Sequence, residues 1–418
     1  MKELVFVALG SVGDVLPLVS LAAATIADVS ACTARVVVSV DVPLDHAALP
    51  VHVVRCPLAA VSTARTMEER LAELDALYAA VVCDGDLPAG VVFNLASLPA
   101  FHVADAAGVP CVVASPCPSV SALTGGSAKT LLATLDACPA LRGVLSSGAP
   151  GAASVADVEH WMLPLLLPHY QVWRAKRGLP PTPWGSTASL TSIPAPAVVY
   201  GCSPRLLPVG LTLPPSVTVC GHWASPAGCY GVPPHVGTFM DECTAAGHGV
   251  ALVTFGSVEW YMPTGIGELL VKAATACSKA GFAVVVQSTV VVAAAFAGLP
   301  RVLVVAEAVN HDLLLPMCRV VVHHGGNGTT GGCARAGVPQ AVCPVAFDQG
   351  IWAAAVAAAG VGVHVVNPLG VPPTRLQALI EEAASLHGAC EKLQALFQEE
   401  GRASVGLAAA AIRGGLRL

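Results

Sequence analysis

Val320-Val-Val-His-His-Gly-Gly-Asn-Gly-Thr-Thr330 is the stretch on which the reading of this chain turns. A β-branched run passes at once into glycine and threonine, with two histidines at the junction, and Gly331 to Ala336 reads on as a helix. Strand, tight glycine turn and helix start, in that order, make an anion site. Gly326 and Gly328 let a ligand approach the backbone closely. The helix start offers unpaired N–H groups and the positive end of its dipole. His323 and His324 add side-chain donors. The expected occupant is a phosphate-containing ligand.

The 418 residues are too many for one ordinary core, so two domains are expected. The chain is 55% hydrophobic and 11% charged, with a mean hydropathy of +0.69. Yet no apolar run of about 20 residues is free of Gly, Pro and charge, as a spanning helix requires. Ala and Val stand instead in short runs, the pattern of strands buried on both faces. A net charge of −6 with no basic block argues against nucleic acid as a partner. Met1 to Leu9 is too short for a signal peptide and reads as a first strand. The 15 cysteines include no C-x-x-C pair and read as reduced, buried hydrophobes, which favours a cytoplasmic location. The sequon Asn327-Gly-Thr329 lies inside the ligand loop and is discounted as a glycosylation site.

Strands alternate with helices through the first half. Glu3–Leu9 is a strand, Gly10-Ser-Val-Gly-Asp14 a turn, and Val15 to Ala27 a helix. Arg35–Val40, Val51–Arg55, Val91–Leu95 and Cys111–Ala114 follow as strands. Thr66 to Ala80 is a helix whose Glu68, Glu69, Arg70, Glu73 and Asp75 form a solvated face. This alternation implies a parallel sheet with helices on its faces. Ligands of such sheets bind outside the carboxyl ends of the strands. Asp14, in the loop after the first strand, therefore faces the crevice, either as a helix cap or as a catalytic group. Asp84-Gly-Asp86 has the D-x-D form of some metal sites but lies in a polar turn and reads as surface. Ser115 to Pro168 is irregular. His102, Trp161, His169 and Tyr170 are candidates for lining an acceptor pocket, with ordinary core packing as the alternative.

The second half repeats the pattern. Residues 226–247 are expected as a linker region after an N-terminal domain of residues 1–225. Val250–Phe255 is a strand, followed by Gly256-Ser-Val-Glu259, a second candidate phosphate loop. Phe282–Gln287, Val302–Val305, Val320–His323 and Gln340–Cys343 are further strands. Each polar candidate comes just after a strand, which sets them all on one rim. The C-terminal domain spans 248–389, and 390–418 forms a closing helix.

His323-His-Gly-Gly-Asn-Gly-Thr-Thr330, Ala334-Arg-Ala-Gly-Val-Pro-Gln340 and Asp348-Gln349 together resemble the nucleotide-sugar signature of GT-B glycosyltransferases of the UDP-glycosyltransferase superfamily. The nearest resemblance is to vancomycin-type antibiotic glycosyltransferases, sterol glucosyltransferases and bacterial rhamnosyltransferases. Glu307-Ala-Val-Asn-His-Asp312 fits the segment before the signature, and Leu9-Gly-Ser-Val-Gly-Asp-Val-Leu-Pro17 resembles the N-terminal loop.

The resemblance implies an α/β GT-B fold, two facing Rossmann-like domains with a cleft between them. It implies a donor diphosphate held by Ser257, His324, Gly326, Gly328 and Thr329, a base against the Val309 backbone, and sugar hydroxyls bonded by Asp348 and Gln349. Asp14 would be the general base. No cofactor and no metal are implied. The co-substrate is a nucleotide-diphosphate sugar, with UDP-glucose favoured, and the partner is a lipophilic small-molecule acceptor; peripheral membrane contact is allowed for, and a monomer or weak dimer is expected. Transfer would invert the anomeric centre. Donors at a helix start stabilise a leaving diphosphate, and a positioned base activates a hydroxyl. The chain departs from the usual pattern at Val12, where Arg is common, and at Asn327, where Ala or Ile is frequent. A dTDP-deoxysugar or rhamnosyl transferase of the same fold is an alternative, and a non-catalytic nucleotide-sugar-binding protein is the alternative of another class.

Overall fold

The computed structural model describes residues 2–10, 12–39, 50–56, 66–83, 85–118, 162–181, 197–207, 213, 215–223, 231–261, 263–345 and 348–418. Among the described residues the N-terminal half holds seven strands: β1 (Lys2–Ala8), β2 (Cys32–Val38), β3 (His52–Arg55), β4 (Gly90–Phe93), β5 (Cys111–Ser115), β6 (Val198–Tyr200) and β7 (Val217–Val219). All pair in parallel, in the order β3-β2-β1-β4-β5-β6-β7. The reversal beside β1 is the switch point at which doubly wound sheets open a crevice.

The strands are apolar on both faces because both faces are covered. Val5, Val7, Val91, Phe93 and Val113 pack beneath α2 (Met67–Val81), α3 (Pro99–Ala107) and α4 (Met162–Lys176). Their even-numbered neighbours Leu4, Phe6, Ala8, Val92, Val112 and Ala114 pack on the other side with α1 (Val12–Ala27). This is the period of two that a strand imposes. Thr66 caps α2 and Glu69 returns the bond to the Thr66 N–H, a capping box, which contributes on the order of 1 kcal/mol. The solvated face expected for α2 needs correction at Arg70, which is buried and pairs with Glu73 at 3.1 Å.

The stretch expected as a linker region carries a helix, α5 (Pro234–Ala245), started by Pro233-Pro234 and seated through Val236, Met240 and Cys243 on the second sheet's core. Proline content marked a helix start here, since the first turn needs no N–H from proline. The second sheet comprises β8 (Val250–Thr254), β9 (Ala283–Gln287), β10 (Val302–Val305), β11 (Val320–His323), β12 (Gln340–Val342) and β13 (Gly362–His364). Its order, β10-β9-β8-β11-β12-β13, repeats the switch, between β8 and β11. The helices are α6 (Val258–Tyr261), α7 (Pro263–Lys279), α8 (His311–Leu314), α9 (Asn327–Ala336), α10 (Gln349–Ala358), α11 (Pro373–Ser385) and α12 (His387–Leu416).

Helix α12 belongs to both halves. Gln394 and Gln398 donate to the Ala336 and Arg335 carbonyls at the end of α9, at 3.0 and 3.2 Å. Farther along, Ala408, Ala409, Ile412 and Leu416 are buried against α1 and the first sheet. Gly90 leaves the space Leu416 occupies, because a Cβ there would lie 2.7 Å from Leu416 Cδ2. The helix thus starts before residue 390 and straps the two sheets together. Among the described residues no helix is long and apolar enough to cross a membrane.

Candidate active site

The carboxyl end of β11 builds the opening motif. His323 turns inward, contrary to its expected role as a ligand donor. Its Nδ1 accepts from the Gly325 N–H at 3.1 Å, so its Nε2 carries the proton and donates to Gln340 Oε1 at 2.9 Å. Fully buried, it titrates only near 3, with burial the main cause. It pins the turn at Gly325, whose φ of +94° and crowding by Val342 at 2.8 Å exclude a side chain. His324 is half-buried, with its titration lowered to about 4 by burial and then by His311. A Cβ on Gly326 would lie 2.5 Å from His324 Nε2, so the glycine admits the imidazole.

Gly326 precedes α9, and the first turn-to-turn bond runs from the Thr330 N–H to the Gly326 carbonyl at 2.9 Å. The N–H groups of Asn327, Gly328 and Thr329 precede it and form the helix's donor end. Among the described residues nothing lies within 4 Å of where a Gly328 Cβ would sit, so none of them closes that end. The β8 loop runs beside it, because His323 and Thr254 are paired in the sheet. Gly256, with φ +55°, and half-buried Ser257 stand at that loop, with the Phe255 and His324 rings 6.4 Å apart. The residues carried over as diphosphate contacts therefore converge.

Neighbouring strand ends extend the rim. His311 Nε2 donates to Gln287 Oε1 at 2.7 Å, and Gln287 Nε2 donates to the Glu307 carbonyl at 3.4 Å. Val309 has its side chain in the core, so only its main chain is left for a ligand. Buried Glu259, the last residue of the second candidate phosphate loop, was given no role of its own by the sequence. It accepts from the Ser288 hydroxyl at 2.9 Å and the Thr289 N–H at 3.0 Å, tying the β9 end to the phosphate loop, and burial raises its proton affinity.

Asp348 and Gln349 open α10. Asp348 Oδ2 accepts from Trp352 Nε1 at 2.6 Å, and Gln349 Oε1 accepts from the Val345 N–H at 2.9 Å. Burial pushes the Asp348 carboxyl up to about 6, the Trp352 bond opposes this, and the Asp14 carboxylate adds to it. Asp14 lies in the first turn of α1 rather than in the preceding loop. Gly10, with φ +116°, makes room for it: a Cβ there would lie 2.6 Å from Asp14 Oδ2. Asn94 and Ser97 brace this corner and were missed. Asn94 Nδ2 donates to the Leu9 carbonyl at 2.9 Å and the Ser97 hydroxyl accepts from the Leu9 N–H at 2.8 Å. Their signal was available: both follow the strand that pairs with β1 at the switch point. Cys117, after β5, feels both carboxylates; burial first, then Asp348 and Asp14, hold its thiol well above the usual range. One carboxylate from each half thus stands within electrostatic reach of the other.

The acceptor-lining residues do not join them. His102 and Tyr170 are buried core residues whose rings stack at 4.2 Å, and His102 titrates only near 3, through burial and the Arg174 charge. Apolar surroundings on α3 and α4 claimed them, which replaces the pocket-lining reading. His169 is half-buried beside Tyr170, and Trp161 lies outside the described residues, as does Asp84 of the D-x-D turn. Among the described residues no group of three or more His, Cys, Asp or Glu side chains is placed to hold a metal ion.

Residues 279–396 match the family described as erythromycin biosynthesis protein CIII-like, C-terminal domain. The chain is 32% identical over 183 residues to O-mycaminosyltylonolide 6-deoxyallosyltransferase of Streptomyces fradiae, covering 44% of this chain and 40% of that protein. It is also 32% identical over 170 residues to sterol 3-beta-glucosyltransferase of Leptosphaeria maculans, covering 40% of this chain and 12% of that protein. The chain thus spans less than half the length of these relatives. In structure it is similar to the glycotransferase of kitacinnamycin, with a TM-score of 0.70 at 20% identity over 99% of both chains, so the fold is GT-B.

Proposed function

We propose, for a chain homologous to GT-B glycosyltransferases that include macrolide- and sterol-directed enzymes, that it transfers a hexose from a nucleotide-diphosphate sugar to a hydroxyl of a lipophilic small molecule. UDP-glucose is the favoured donor. The carrying observation is the approach of Asp14 and Asp348 across the cleft, beside the open start of α9. In this reading the diphosphate rests on Ser257, His324 and the N–H groups from Gly326 to Thr329. Val309 offers backbone to the base, and Asp348 and Gln349 hold the sugar.

The acceptor hydroxyl gives its proton to Asp14 as its oxygen forms a bond to the anomeric carbon. The carbon–oxygen bond to the diphosphate breaks with its electron pair, and the leaving nucleotide carries that charge away. Attack opposite the leaving group inverts the centre. The helix start and His324 stabilise the charge that develops, so this chemistry calls for no metal. The first relative's name supports a second reading, in which the donor is a dTDP-deoxysugar.

The test is a donor panel of UDP-glucose, dTDP-glucose and dTDP-rhamnose against sterol, polyketide and phenolic acceptors, read by product mass and nucleotide release. Acceptor-dependent release with a product heavier by one hexosyl unit is expected. Nucleotide binding with no acceptor-dependent release from any donor would instead favour a binding protein.

A further inference from the structure

The side chain of Asn327 crosses the cleft. Its Nδ2 donates to the Pro116 carbonyl at 2.5 Å and to the Gly201 carbonyl at 3.2 Å. These carbonyls continue a ladder. Strands β5 and β6 pair through Ser115 and Tyr200, and the Gly201 N–H donates to the Ser115 carbonyl at 2.8 Å. One step beyond, among the described residues, the sheet has two acceptors and no further strand. A primary amide has two N–H donors, and both are used here, one on each strand end.

We propose that Asn327 is a positioning residue: it clasps the start of α9 to the carboxyl edge of the N-terminal sheet and so fixes where the donor phosphates sit relative to Asp14. This rests on the donor-site reading above. Asn327 is the first residue of α9, so its backbone belongs to the diphosphate-binding turn while its side chain belongs to the opposite domain's sheet edge. Any opening of the cleft or tilt of α9 must break the clasp. Cys117, the residue after Pro116, lies within electrostatic reach of both Asp14 and Asp348, so the clasp is on the same side of the sheet as the two carboxylates.

A second contact grips the same face of the helix. Gly331 is four residues on from Asn327, one turn away on the same side. The His222 ring lies so close that a Cβ on Gly331 would stand 2.2 Å from it. The His222 carbonyl accepts from the Ser404 hydroxyl of α12 at 2.7 Å, which holds that strand end in turn. Trp223 packs over Gly201, where a Cβ would lie 2.4 Å from the indole.

The test compares the wild-type chain with Asn327→Ala, Asn327→Asp and Asn327→Gln by small-angle scattering, by calorimetric binding of UDP and dTDP, and by steady-state transfer. Asn327→Asp keeps the shape, loses the donors and sets a carboxylate against two carbonyls. Ala and Asp are expected to enlarge the radius of gyration and to lower kcat about tenfold or more, with nucleotide Kd and donor KM within about threefold. Gln, which keeps the two donors, recovers part of kcat. Gly331→Ala, which wedges His222 away, enlarges the radius in the same way and guards against a misfolded Asn327 variant. Scattering identical to wild type in Asn327→Ala and Gly331→Ala overturns the clasp. So does a nucleotide Kd that weakens as much as kcat, which would make Asn327 a ligand contact. If the wild type binds neither nucleotide, the donor reading fails separately, and scattering alone still decides the clasp.

Discussion

Asp14 and Asp348 come from opposite domains, and the charge on Asp14 raises the proton affinity of Asp348. Burial is the larger cause, and together they lift the Asp348 carboxyl from 3.8 to about 6. The folded chain therefore keeps a proton that the unfolded chain releases. Stability from this residue is whole below about pH 4 and is lost as pH rises through 6. Asp348→Asn removes that cost while an amide oxygen can still accept from Trp352. The variant should be more stable than wild type at pH 7.5, by on the order of 1 kcal/mol, with no gain at pH 4. Paired thermal melts at the two values check this. Equal melting differences at both would mean that Asp348 is not ionised against its surroundings.

Gly10 and Asp14 should give one phenotype. Asp14→Asn removes the proposed base and is expected to lower transfer by about two to four orders of magnitude, leaving UDP binding unchanged. Gly10→Ala forces a Cβ onto the Asp14 carboxylate and strains a backbone at φ +116°. It should lower turnover similarly while the donor site, on the other domain, binds nucleotide normally. Steady-state rates beside calorimetry separate the two effects. Unchanged turnover in Asp14→Asn would place the base elsewhere.

How much of this was legible depended on what each residue answers to. Valine runs and glycine turns obey local rules, so both sheets and the α9 loop could be read from the chain. The rim followed, because strand ends on one side of a parallel sheet fall together. His323 and His324 are adjacent and identical in type; only the Gln340 side-chain oxygen and the Gly325 N–H turn one inward, and Gln340 is brought there by strand pairing. His102 and Tyr170 looked like pocket residues because a sequence does not say which side of α3 and α4 meets the core. Asn327 registered as a discounted sequon and a departure from pattern, not as a clasp, since its partners Pro116 and Gly201 belong to the other domain.

His324 stays neutral above about pH 4, so at neutral pH it would meet a phosphate as an N–H donor rather than as a cation. His324→Ala is expected to weaken UDP-glucose binding about tenfold, the worth of a good hydrogen bond to a charged group. A bound diphosphate favours the protonated ring, so wild-type affinity should strengthen as pH falls from about 7 toward 5, and that of the variant should not. Calorimetric titrations across that range decide it. A variant that binds UDP-glucose normally but has lost acceptor affinity would move His324 out of the phosphate site.

Three buried histidines make the fold sensitive to acid. His102, His222 and His323 each titrate near 3 rather than 6.5, with burial the largest cause in all three. They stay neutral when folded and take up protons on unfolding. Their contribution is present above the unfolded value of 6.5 and is lost progressively as pH falls toward 3. At about pH 5 nearly three protons should be gained on unfolding from these residues, with less from half-buried His324. Asp348 opposes them in part, by releasing a proton over the same range. Denaturant unfolding should therefore weaken steadily from pH 7 to 4.5. His323→Gln, which keeps a polar side chain beside Gln340 without a titrating ring, should cost stability at pH 7 but flatten that slope by up to one proton. A wild-type slope near zero, or one unchanged in His323→Gln, would mean that the buried ring is charged in the folded chain.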